Sequence, residues 1–568
     1  MSSAPGAEAR AGRFPGPSLM PDLHAIQAEH GWLPRDELVR LARERRRPLY
    51  EVEGLISFDP HFLTEPPPKV ELACCHDLSC WLQGGEERIA ELRERYGDDP
   101  DVHLREVSCI GRCDAAPAVA VNEFPAAAAQ AHALVEAARS NGTTRAGLEA
   151  DRGGPRPRAN DPYEPGARDY RVLRAALAGE LDSGRILAEL KESGLRGMGG
   201  AGFPTGTKWE LVAKQEAEPK YAICNADESE PGTFKDRQIM AEQPHLVLEG
   251  LLLGMLVTGA REGWVFIRHE YGPEEAVVRE EIERVRSLGL LEGLILDVFV
   301  SPGGYILGEE SALIECMEGH RGEPRNKPPF PGVYGLWGKP TLMNSVETFA
   351  HVPVILERGA RWWAERGAND SKGLKFFAVS GHVEHPGVYC VPMGTTARDL
   401  LDRAGGMAGG AELGAIQPGG ASSNFLGPDR LDVPLDFDSV AEAGSMLGSG
   451  ALVVMAEGTD LLAAATNVLR FFRDESCGKC VPCRLGSTKA HQILTELLAA
   501  GGGAEDVDDR ITELEKTMRL TSICGLGQVA LGPVVSVLGL PRGATAARPH
   551  PRSERAPEEE PEQPAPGD

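Results

Sequence analysis

Three short stretches decide the fold of the central part of this chain: "YAICNA" (221–226), "EGWVFIRH" (262–269) and "ILDVFVS" (295–301). Each is a mainly apolar run with the length of one buried β-strand. Helical patterns such as "YRVLRAALAG" (170–179) alternate with these runs. Alternating helices and buried strands are typical of a layered α/β domain, which we expect between residues 171 and 365.

The chain before this domain divides into three parts. Residues 1–20 are small and Pro-rich, and we expect a disordered tail there. Residues 21–140 begin with two predicted helices, "DLHAIQAEHGWL" and "DELVRLARERR", and continue with a strand, a helix and two more strands. This pattern predicts a helical segment followed by a compact α/β domain. Residues 141–170 are rich in Gly, Pro and Arg, as a linker would be.

Two further domains are expected after residue 365. Residues 366–445 contain short strands, "LKFFAVSG" and "GVYCVP", and one helix, "TARDLLDRAGG", which suggest a small β-grasp-like unit. Residues 446–540 contain amphipathic helices, among them "STKAHQILTELLAA" and "DDRITELEKTMRL", which predict a helical bundle. Residues 541–568 are rich in Pro and Glu and are expected to be a disordered tail.

Composition limits the classes of partner and the cellular compartments that we expect for this protein. The chain has 568 residues, enough for several domains, and its formal net charge is −26, from 59 Lys and Arg against 85 Asp and Glu. Such a surface repels phosphate backbones and anionic lipids, so we expect no nucleic acid and no direct membrane contact. We find neither a secretory signal nor an apolar run of about 20 residues, and we expect a cytoplasmic protein with reduced thiols. Its 12 cysteines then indicate metal binding more than disulfides.

Four cysteines form a first group of candidate metal ligands. Cys75 and Cys80 make a C-x4-C pair, Cys109 and Cys113 make a C-x3-C pair, and each pair follows a predicted strand. An all-thiolate shell is typical of iron–sulfur clusters. Tetrahedral zinc also accepts four cysteines, but its usual knuckles are two C-x2-C pairs. Because Cys74 adjoins Cys75, spacing alone does not decide which of the two is a ligand.

A second group, Cys477, Cys480, Cys483 and Cys524, gives the stronger signal. The stretch "ESCGKCVPC" (475–483) places three thiols on one loop, and "TSICGLGQ" supplies the fourth. This arrangement suits a four-iron cluster better than the two-plus-two ligation of zinc. Buried reduced thiols are the alternative, and we favour that alternative for the isolated Cys74, Cys224, Cys316 and Cys390.

A glycine-rich loop and two acidic strand ends indicate a nucleotide-type cofactor. The loop "GLRGMGGAGFPTGTKWE" (194–210) can present backbone N–H groups to a phosphate, although a helix precedes it where the dinucleotide fingerprint expects a strand. The stretches "CNADESEPGTFKDR" (224–237) and "GGYILGEES" (303–311) place carboxylates beside glycines after strands. Such carboxylates can bind ribose or ribityl hydroxyls, whereas many acidic runs are only solvated surface.

Together with "NKPPFPGVYGLWGKPT" (326–341), "NSVET" (344–348) and "ESCGKCVPCRLG" (475–486), these motifs resemble the NADH- and FMN-binding flavoprotein subunit of respiratory complex I and its soluble relatives. The N-terminal part, with "LHAIQAEHGWLP" (23–34) and "CIGRCDAAPAVAVNE" (109–123), resembles the small [2Fe-2S] subunit of the same machine. Such fusions are similar to β subunits of soluble NAD-dependent molybdenum or tungsten formate dehydrogenases and to diaphorase subunits of NAD-reducing hydrogenases. The resemblance implies a thioredoxin-like N-terminal domain, a Rossmann-like FMN/NAD domain, a β-grasp-like domain and a helical bundle.

The resemblance also implies the cofactor sites. FMN contacts fall on Gly197, Gly199, Gly200, Lys208, Asn225, Asp227, Glu228, Tyr305, Gly308, Glu309, Asn344 and Thr348, and Ala201, Gly202 and Ser345 are further expected cofactor-binding residues. NAD contacts fall on Phe203, Lys208, Glu230, Glu310, Lys327 and Phe330. The [2Fe-2S] ligands become Cys75, Cys80, Cys109 and Cys113, and the [4Fe-4S] ligands become Cys477, Cys480, Cys483 and Cys524. Met198 and Ser345 depart from the family's usual Arg and Asn.

The implied activity is an NAD(H):acceptor oxidoreductase in which FMN carries the hydride chemistry and no side chain is a catalytic acid or base. Glu230 is expected at most to tune hydride transfer. Electrons would pass through the clusters to a large partner subunit that carries further iron–sulfur clusters, which we expect to be a formate dehydrogenase α subunit. A hydrogenase diaphorase and a complex I input module are the alternatives. Glu310 is expected to favour NAD over NADP, unless it only caps a helix.

Overall fold

The computed structural model describes residues 18–141, 160–164, 166–500 and 507–538. Most of the two predicted tails and of the predicted linker therefore lies outside the described residues. The described edges of these segments are ordered: Leu19 is buried and Met20 begins a helix, so the tail predicted to reach residue 20 is shorter. At the end of the predicted linker, the buried Tyr163 donates a hydrogen bond to Glu249 Oε2 at 2.7 Å. The linker therefore ends before residue 160, because these residues pack on the central domain.

The N-terminal helical segment has three helices, and the third was not predicted. Their bounds are Met20–His30, Arg35–Glu44 and Leu49–Ile56. Buried leucines of this segment share one hydrophobic core with Leu313 and Met317 of the central domain. Arg321 Nε also donates to the carbonyl of Gly54 at 2.8 Å. The segment is thus packed on the central domain as well as joined to the domain that follows it in sequence.

The next domain has a four-stranded sheet with the order β2-β1-β3-β4. Its strands are β1 (Val70–Cys75), β2 (Val102–Val107), β3 (Ala118–Val121) and β4 (Phe124–Ala127). β1 and β2 are parallel, and the other pairs are antiparallel. Its helices are Leu78–Leu82, Gly85–Tyr96 and Ala131–Asn141. This mixed sheet confirms the thioredoxin-like expectation.

The central domain contains a parallel sheet with the order β7-β6-β5-β8. Its strands are β5 (Tyr221–Ala226), β6 (Glu262–Arg268), β7 (Ile295–Ser301) and β8 (Thr341–Ser345). The helices are Arg171–Leu177, Ser183–Ser193, Thr205–Ala213, Lys235–Glu242, Pro244–Thr258, Gly272–Ser287, Glu310–Met317, Val346–Arg358 and Ala360–Ala364. Parallel strands end at one edge of the sheet, so the polar residues after β5, β6, β7 and β8 are brought together there.

The β-grasp-like domain follows a short hairpin of β9 (Gly367–Ala368) and β10 (Ser371–Lys372). Its sheet has the order β12-β11-β14-β13, with β11 (Leu374–Gly381), β12 (Gly387–Pro392), β13 (Leu413–Gln417) and β14 (Ala451–Ala456). The helices Ala397–Arg403 and Phe437–Glu442 complete it. Because β14 pairs with both β11 and β13, we place the end of this domain after residue 456 instead of at residue 445.

The C-terminal helices are Leu461–Asp474, Val481–Ala499, Val507–Thr521, Gly525–Val529 and Gly532–Val537. Their apolar faces, which include Phe471 and Phe472, share a core with the central domain. The predicted bundle is confirmed, and it begins at Leu461. Among the residues described here, no helix combines the length and apolar character needed to cross a bilayer.

A buried charge network joins the central and β-grasp-like domains. Glu347 Oε2 lies 2.9 Å from Lys235 Nζ and 3.1 Å from Lys375 Nζ, and Lys235 Nζ lies 2.9 Å from Asp236 Oδ1. The backbone N–H of Phe376 in β11 donates to Glu347 Oε1 at 2.8 Å. All four charged side chains are buried. One carboxylate therefore compensates two lysines from different domains.

Candidate functional site

The first cysteine group forms one buried pocket at the end of β1 and β2. Cys75 ends β1, Cys80 lies in the following helix, and Cys109 and Cys113 follow β2; all four are buried. The Cys109 and Cys113 sulfurs are 3.4 Å apart. The N–H groups of Gly111 and Ala118 donate to the Cys109 and Cys80 sulfurs, each at 3.4 Å. Contact among the thiols lowers the pKa of Cys109 and raises those of Cys75 and Cys113, so one thiolate is stabilised by its protonated neighbours.

The structure decides between Cys74 and Cys75. Successive side chains of a strand point to opposite faces. Cys74 packs in the core with Val70 and Leu72, whereas Cys75 packs with Cys80 on the other face of β1. Cys75 is therefore placed with the other thiols, and Cys74 is core filling, as are the fully buried Cys224 and Cys316. The fourth isolated cysteine, Cys390, is half-buried in β12.

The second cysteine group lies where two helices begin. Cys480 immediately precedes the helix Val481–Ala499, Cys483 is in its first turn, and Cys524 immediately precedes the helix Gly525–Val529. The helix N-termini direct free N–H groups and positive dipole ends toward these sulfurs. A Cβ atom added at Gly527 would lie 2.9 Å from Cys483 Cβ, so only glycine allows the first turns of the two helices to approach this closely. The four thiols fit a thiolate-bound cluster.

The glycine loop is held against the end of β8. Gly197 N–H donates to the Phe203 carbonyl at 2.8 Å, and Met198 N–H donates to Thr348 Oγ1 at 2.9 Å. Ser345 and Thr348 share a hydrogen bond of 2.9 Å between their hydroxyls. Gly200 and Gly202 have φ values of 119° and 63°, which residues other than glycine rarely adopt. Thr348 and Ser345 thus position the loop, while Gly199 and Ala201 face solvent.

The end of β5 presents an unsatisfied carboxylate oxygen. Asn225 Nδ2 donates to the Gly308 carbonyl at 2.8 Å, which joins the end of β5 to the loop after β7. Asp227 Oδ1 accepts from Ser229 Oγ at 2.5 Å, but Asp227 Oδ2 is buried and has no hydrogen-bond partner. Burial raises the pKa of Asp227 to about 6. A buried acceptor of this kind calls for a donor, and a ribityl or ribose hydroxyl would supply one.

Two of the predicted acids have other partners. The Glu228 carboxylate accepts the backbone N–H groups of Asp236 at 2.8 Å and Arg237 at 2.9 Å, and so caps the helix Lys235–Glu242. Glu230 Oε1 accepts the backbone N–H of Ser422 in the β-grasp-like domain at 2.8 Å, and burial raises the pKa of Glu230. Both carboxylates have structural partners in addition to any role toward a cofactor.

A charged cluster lies at the start of the helix Glu310–Met317. Lys327 Nζ lies 2.6 Å from Glu309 Oε1 and 3.0 Å from Glu310 Oε1. Glu309 Oε2 accepts the N–H groups of Ser311 and Ala312, so Glu309 is the helix cap and Glu310 is not. Lys208 is close enough for both Glu310 and Lys327 to affect its pKa, which burial lowers. Its ammonium donates to the Met343 carbonyl at 3.1 Å.

Aromatic and amide side chains complete the predicted set. Phe203 and Phe330 are 45% and 58% exposed, so their rings are available for stacking on a planar ligand. Asn344 Oδ1 accepts from the buried Trp209 Nε1 at 2.9 Å. The glycine loop, Asn225, Asp227 and Gly308 therefore fit a phosphate- and hydroxyl-bearing cofactor such as FMN, and the exposed rings beside the charged cluster fit a dinucleotide.

The loop with Tyr305 contacts the segment that leads into the second cysteine group. Tyr305 N–H donates to Glu475 Oε2 at 2.7 Å, and Glu475 is two residues before Cys477. The Tyr305 ring lies 5.0 Å from that of Phe471, between ring centroids. Lys479 Nζ donates to the Pro324 carbonyl at 2.6 Å. The nucleotide site and the second cysteine group are therefore direct neighbours.

Three positioning residues were missed by the sequence reasoning. Arg268, at the end of β6, donates to the carbonyls of Glu228 and Cys109, each at 2.7 Å. Asp77 Oδ2 accepts the N–H of Cys109 at 2.7 Å. Glu475 holds Tyr305, as described above. Asp77 lies between Cys75 and Cys80, and Glu475 begins the stretch "ESCGKCVPC", so their positions were a usable signal, whereas nothing local distinguishes Arg268.

Family profiles match four parts of the chain. The Nuo51 FMN-binding domain matches residues 190–354, and the NADH-ubiquinone oxidoreductase-F iron–sulfur binding region matches residues 463–541. The thioredoxin-like [2Fe-2S] ferredoxin matches residues 13–139, and the SLBB domain matches residues 376–422. Both cysteine groups and the glycine loop lie inside these matches.

Individual proteins agree with the profiles. The chain is 43% identical over 377 residues to the F 2 subunit of the NADH-quinone oxidoreductase of Rhizobium meliloti, covering 65% of this chain and 89% of that protein. It is 40% identical over 380 residues to NADP-reducing hydrogenase subunit HndC of Solidesulfovibrio fructosivorans, covering 65% of this chain and 77% of that protein. A chain in the crystal structure of an air-oxidized NAD+-reducing [NiFe]-hydrogenase aligns with a TM-score of 0.82 at 31% identity, covering 92% of this chain and 91% of that chain.

Proposed function

Because the chain belongs to the family of NADH-binding flavoprotein subunits of complex I and its relatives, here with a thioredoxin-like [2Fe-2S] domain, we propose that it works as a diaphorase subunit. It is an FMN-dependent oxidoreductase subunit with NAD, a [4Fe-4S] cluster and a [2Fe-2S] cluster. When bound, FMN exchanges a hydride with NAD and single electrons with an iron–sulfur cluster.

The residues of this chain bind FMN and NAD and orient them toward each other. Asp227 Oδ2 and Asn225 are the proposed partners of the flavin's hydroxyl-bearing chain, and the N–H groups of the glycine loop are those of its phosphate. Phe203 and Phe330 are the proposed stacking surfaces for NAD, with Lys208 and Lys327 offering positive charge to its phosphates. No side chain is required as an acid or a base toward the reacting atoms.

The hydrogen bond from Tyr305 N–H to Glu475 carries the proposal. It joins the flavin-site loop to the segment that ends in the ligands Cys477 and Cys480, so the flavin and the four-iron cluster are expected to be near neighbours. Electrons would then move between NAD and the partner by way of the cluster held by Cys477, Cys480, Cys483 and Cys524.

The electron exit is proposed at the outer face of the same cluster. Val481 and Leu485 lie one turn apart on the helix that follows Cys480, and Leu520 precedes Cys524 by four residues; all three side chains are exposed. Exposed apolar side chains beside a cluster suit a docking surface for a large catalytic subunit with its own iron–sulfur clusters.

For the partner, we propose a molybdenum or tungsten formate dehydrogenase α subunit in the cytoplasm, on the basis of the fused arrangement. The match to the NAD+-reducing [NiFe]-hydrogenase chain extends over 92% of this chain, including both cluster domains, and favours a hydrogenase as the second candidate. A complex I-type partner is the third, supported by the identity to the NADH-quinone oxidoreductase protein of Rhizobium meliloti.

The test of the diaphorase activity uses the purified, FMN-loaded chain without a partner. We expect NADH-dependent reduction of ferricyanide, and a KM for NADH that rises in Phe203→Ala with FMN content unchanged. Tyr50→Ala removes an exposed ring of the N-terminal segment and is the matched control. A fully flavin-loaded chain that reduces no acceptor with NADH would refute the proposed activity.

The partner is tested by isolating the tagged chain with its bound subunits and measuring NAD+ reduction with formate and, separately, with hydrogen. Formate-dependent reduction supports the first proposal, and hydrogen-dependent reduction replaces it by the second. Leu485→Glu is expected to lower the amount of partner subunit recovered without changing ferricyanide reduction. Leu177→Glu, at an exposed position of the central domain, is the control and is expected to recover as much partner subunit as the wild type. Equal recovery with both variants would place the docking surface elsewhere.

A further inference from the structure

A cavity of about 260 Å³ lies where the N-terminal helical segment, the thioredoxin-like domain and the central domain meet. His61 comes from the loop after the third helix, Glu123 from the turn between β3 and β4, and His269 from the residue after β6. None of these residues belongs to the cofactor sites described above. They approach one another only because the three parts of the chain are packed together.

Donor atoms of the three side chains lie close to one another. His61 Nδ1 lies 3.1 Å from Glu123 Oε1, and the rings of His61 and His269 lie 4.3 Å apart between centroids. One ligand atom from each of the three lies within 4.8 Å of the other two. Ligands held at about 2.0–2.1 Å around tetrahedral zinc are separated by roughly 3.3 Å, so small side-chain rotations would close the site.

The protonation states of the donor groups suit the binding of a cation. Burial lowers the pKa of His269 to about 4, so its ring is neutral near pH 7 and keeps a free lone pair. Although partial burial opposes it, contact with His61 lowers the pKa of Glu123 to about 2, so the carboxylate is charged. His269 Nδ1 makes no hydrogen bond, although Glu270 Oε2, which is bonded to Arg268, lies 3.3 Å away.

A third imidazole, that of His24, lies beside this group. The His24 ring, from the first helix, is 5.2 Å from that of His61 between centroids, and His24 Nε2 is buried without a hydrogen-bond partner. Burial, together with the neighbouring imidazoles, lowers the pKa of His24 to about 3. Three histidines and one carboxylate from four separate segments are a donor set typical of zinc and related divalent cations.

A second His/Glu cluster differs from the first because an arginine already pairs with its carboxylates. Glu315, Glu318 and His320 also converge, but Arg325 Nε lies 2.6 Å from Glu315 Oε1 and Arg325 Nη2 lies 2.8 Å from Glu318 Oε2. A guanidinium already supplies the positive charge there. Among the described residues, Glu123 forms no ion pair with an arginine or lysine, and its contact is with His61.

We propose that His61, Glu123 and His269 hold a divalent cation of the zinc class, with His24 next to the fourth position. The cation would join the N-terminal segment and the thioredoxin-like domain to the end of β6 in the central domain. Zinc has no redox chemistry in proteins, so its role here is to fix the position of the [2Fe-2S] domain on the flavin domain.

The test measures zinc, iron and FMN in the holoprotein after incubation with Zn²⁺ and removal of excess, by plasma mass spectrometry and flavin absorbance. We expect about one zinc per chain, falling at least tenfold in His61→Ala and Glu123→Gln, with iron and FMN unchanged. Glu123→Gln is isosteric and lies in a half-exposed turn, so it keeps the fold. His132→Ala is the matched control, because His132 is an exposed histidine of the same domain, hydrogen-bonded to Tyr96.

X-ray absorption at the zinc edge identifies the ligands. Nitrogen and oxygen neighbours at about 2.0–2.1 Å support the proposed site, whereas sulfur at about 2.3 Å means zinc in the cluster cysteines and overturns it. Two further outcomes overturn it: a holoprotein that takes up no zinc, and zinc content that is the same in the wild type and in both ligand variants.

Discussion

Replacing Glu347 with Gln tests whether the buried charge network holds the central and β-grasp-like domains together. In the wild type, Glu347 compensates Lys235 at 2.9 Å and Lys375 at 3.1 Å, and all three side chains are buried. Although burial opposes it, the two ammonium groups hold the pKa of Glu347 far below its usual range. Gln keeps the shape and one acceptor, but it removes the charge.

The expected cost follows from what each lysine keeps. Lys235 retains Asp236 at 2.9 Å, whereas Lys375 loses its ion-pair partner inside the protein. Leaving one buried charge uncompensated costs about 3–5 kcal/mol. Because Glu347 is shared between two lysines, its attraction to Lys375 is only part of its interactions, and we expect a cost at the lower end, about 3 kcal/mol. At about 2–4 °C per kcal/mol for a domain of this size, we expect Tm to fall by about 6–12 °C.

The assay is calorimetric unfolding of the flavin-loaded protein, with FMN fluorescence reporting release of the cofactor. Glu365→Gln is the control, because Glu365 pairs with Arg361 at 2.7 Å on the exposed surface, and we expect no measurable change. A drop in Tm of less than about 2 °C for Glu347→Gln would contradict the reasoning.

The same variant has a signed pH dependence. Burial already lowers the pKa of Lys375, and loss of the carboxylate lowers it further. The unfolded chain then binds more protons at Lys375 than the folded chain does, so the stability of the variant rises as pH increases toward the unfolded pKa. The deficit in Tm relative to the wild type is therefore expected to shrink between about pH 7 and 9, and a deficit that grows would contradict the assignment.

Three further predictions concern the cofactors. Cys480→Ser should remove the four-iron signal in electron paramagnetic resonance and leave the two-iron signal, because the two cysteine groups lie in separate domains. Glu310→Ala should raise the ratio of kcat/KM for NADPH to that for NADH by about tenfold, or about 1.4 kcal/mol, because a carboxylate repels a 2′-phosphate. Asp227→Ala should raise the Kd of FMN about tenfold or more in fluorescence titration, because it removes a buried charged acceptor worth about 1.5–3 kcal/mol.

Each of these has a contradicting result. Simultaneous loss of both iron signals in Cys480→Ser would mean that the clusters are not independent. An unchanged nucleotide preference in flavin-loaded Glu310→Ala would assign selectivity to another residue, with Glu230 the next to test. Unchanged FMN affinity in Asp227→Ala would mean that the unpartnered oxygen does not face the flavin.

The two groups of candidate cluster ligands could be recognised from the sequence because their signals are local. Three cysteines in seven residues and two pairs after strands need no knowledge of the rest of the chain, and the structure gathers each set of four. The glycine loop was predictable for the same reason: its backbone conformation is set by its own glycines. The choice between Cys74 and Cys75 was not, because it depends on which face of β1 is turned toward the loop after β2.

The fold was harder to predict where pairing is distant in sequence. β14 lies past the expected domain boundary because it joins β11 and β13 only through contacts that no local pattern records. The flavin contact of Glu228 stays a prediction, but the local pattern did not indicate that its carboxylate also accepts the amide groups at the start of the helix Lys235–Glu242 and caps that helix. In both cases a partner elsewhere in the chain decides the position.

The shared core of the N-terminal segment and the helix Glu310–Met317 has a consequence for biosynthesis. Leu19 and Leu23 leave the ribosome before Leu313 and Met317, which belong to the same hydrophobic core but are made nearly three hundred residues later. At about 5–20 residues per second, the early apolar face stays uncovered for on the order of tens of seconds. The newly synthesised N-terminal segment is therefore expected to bind chaperones. If the chain were divided between residues 142 and 159, the same hydrophobic core would have to form by association of two polypeptides.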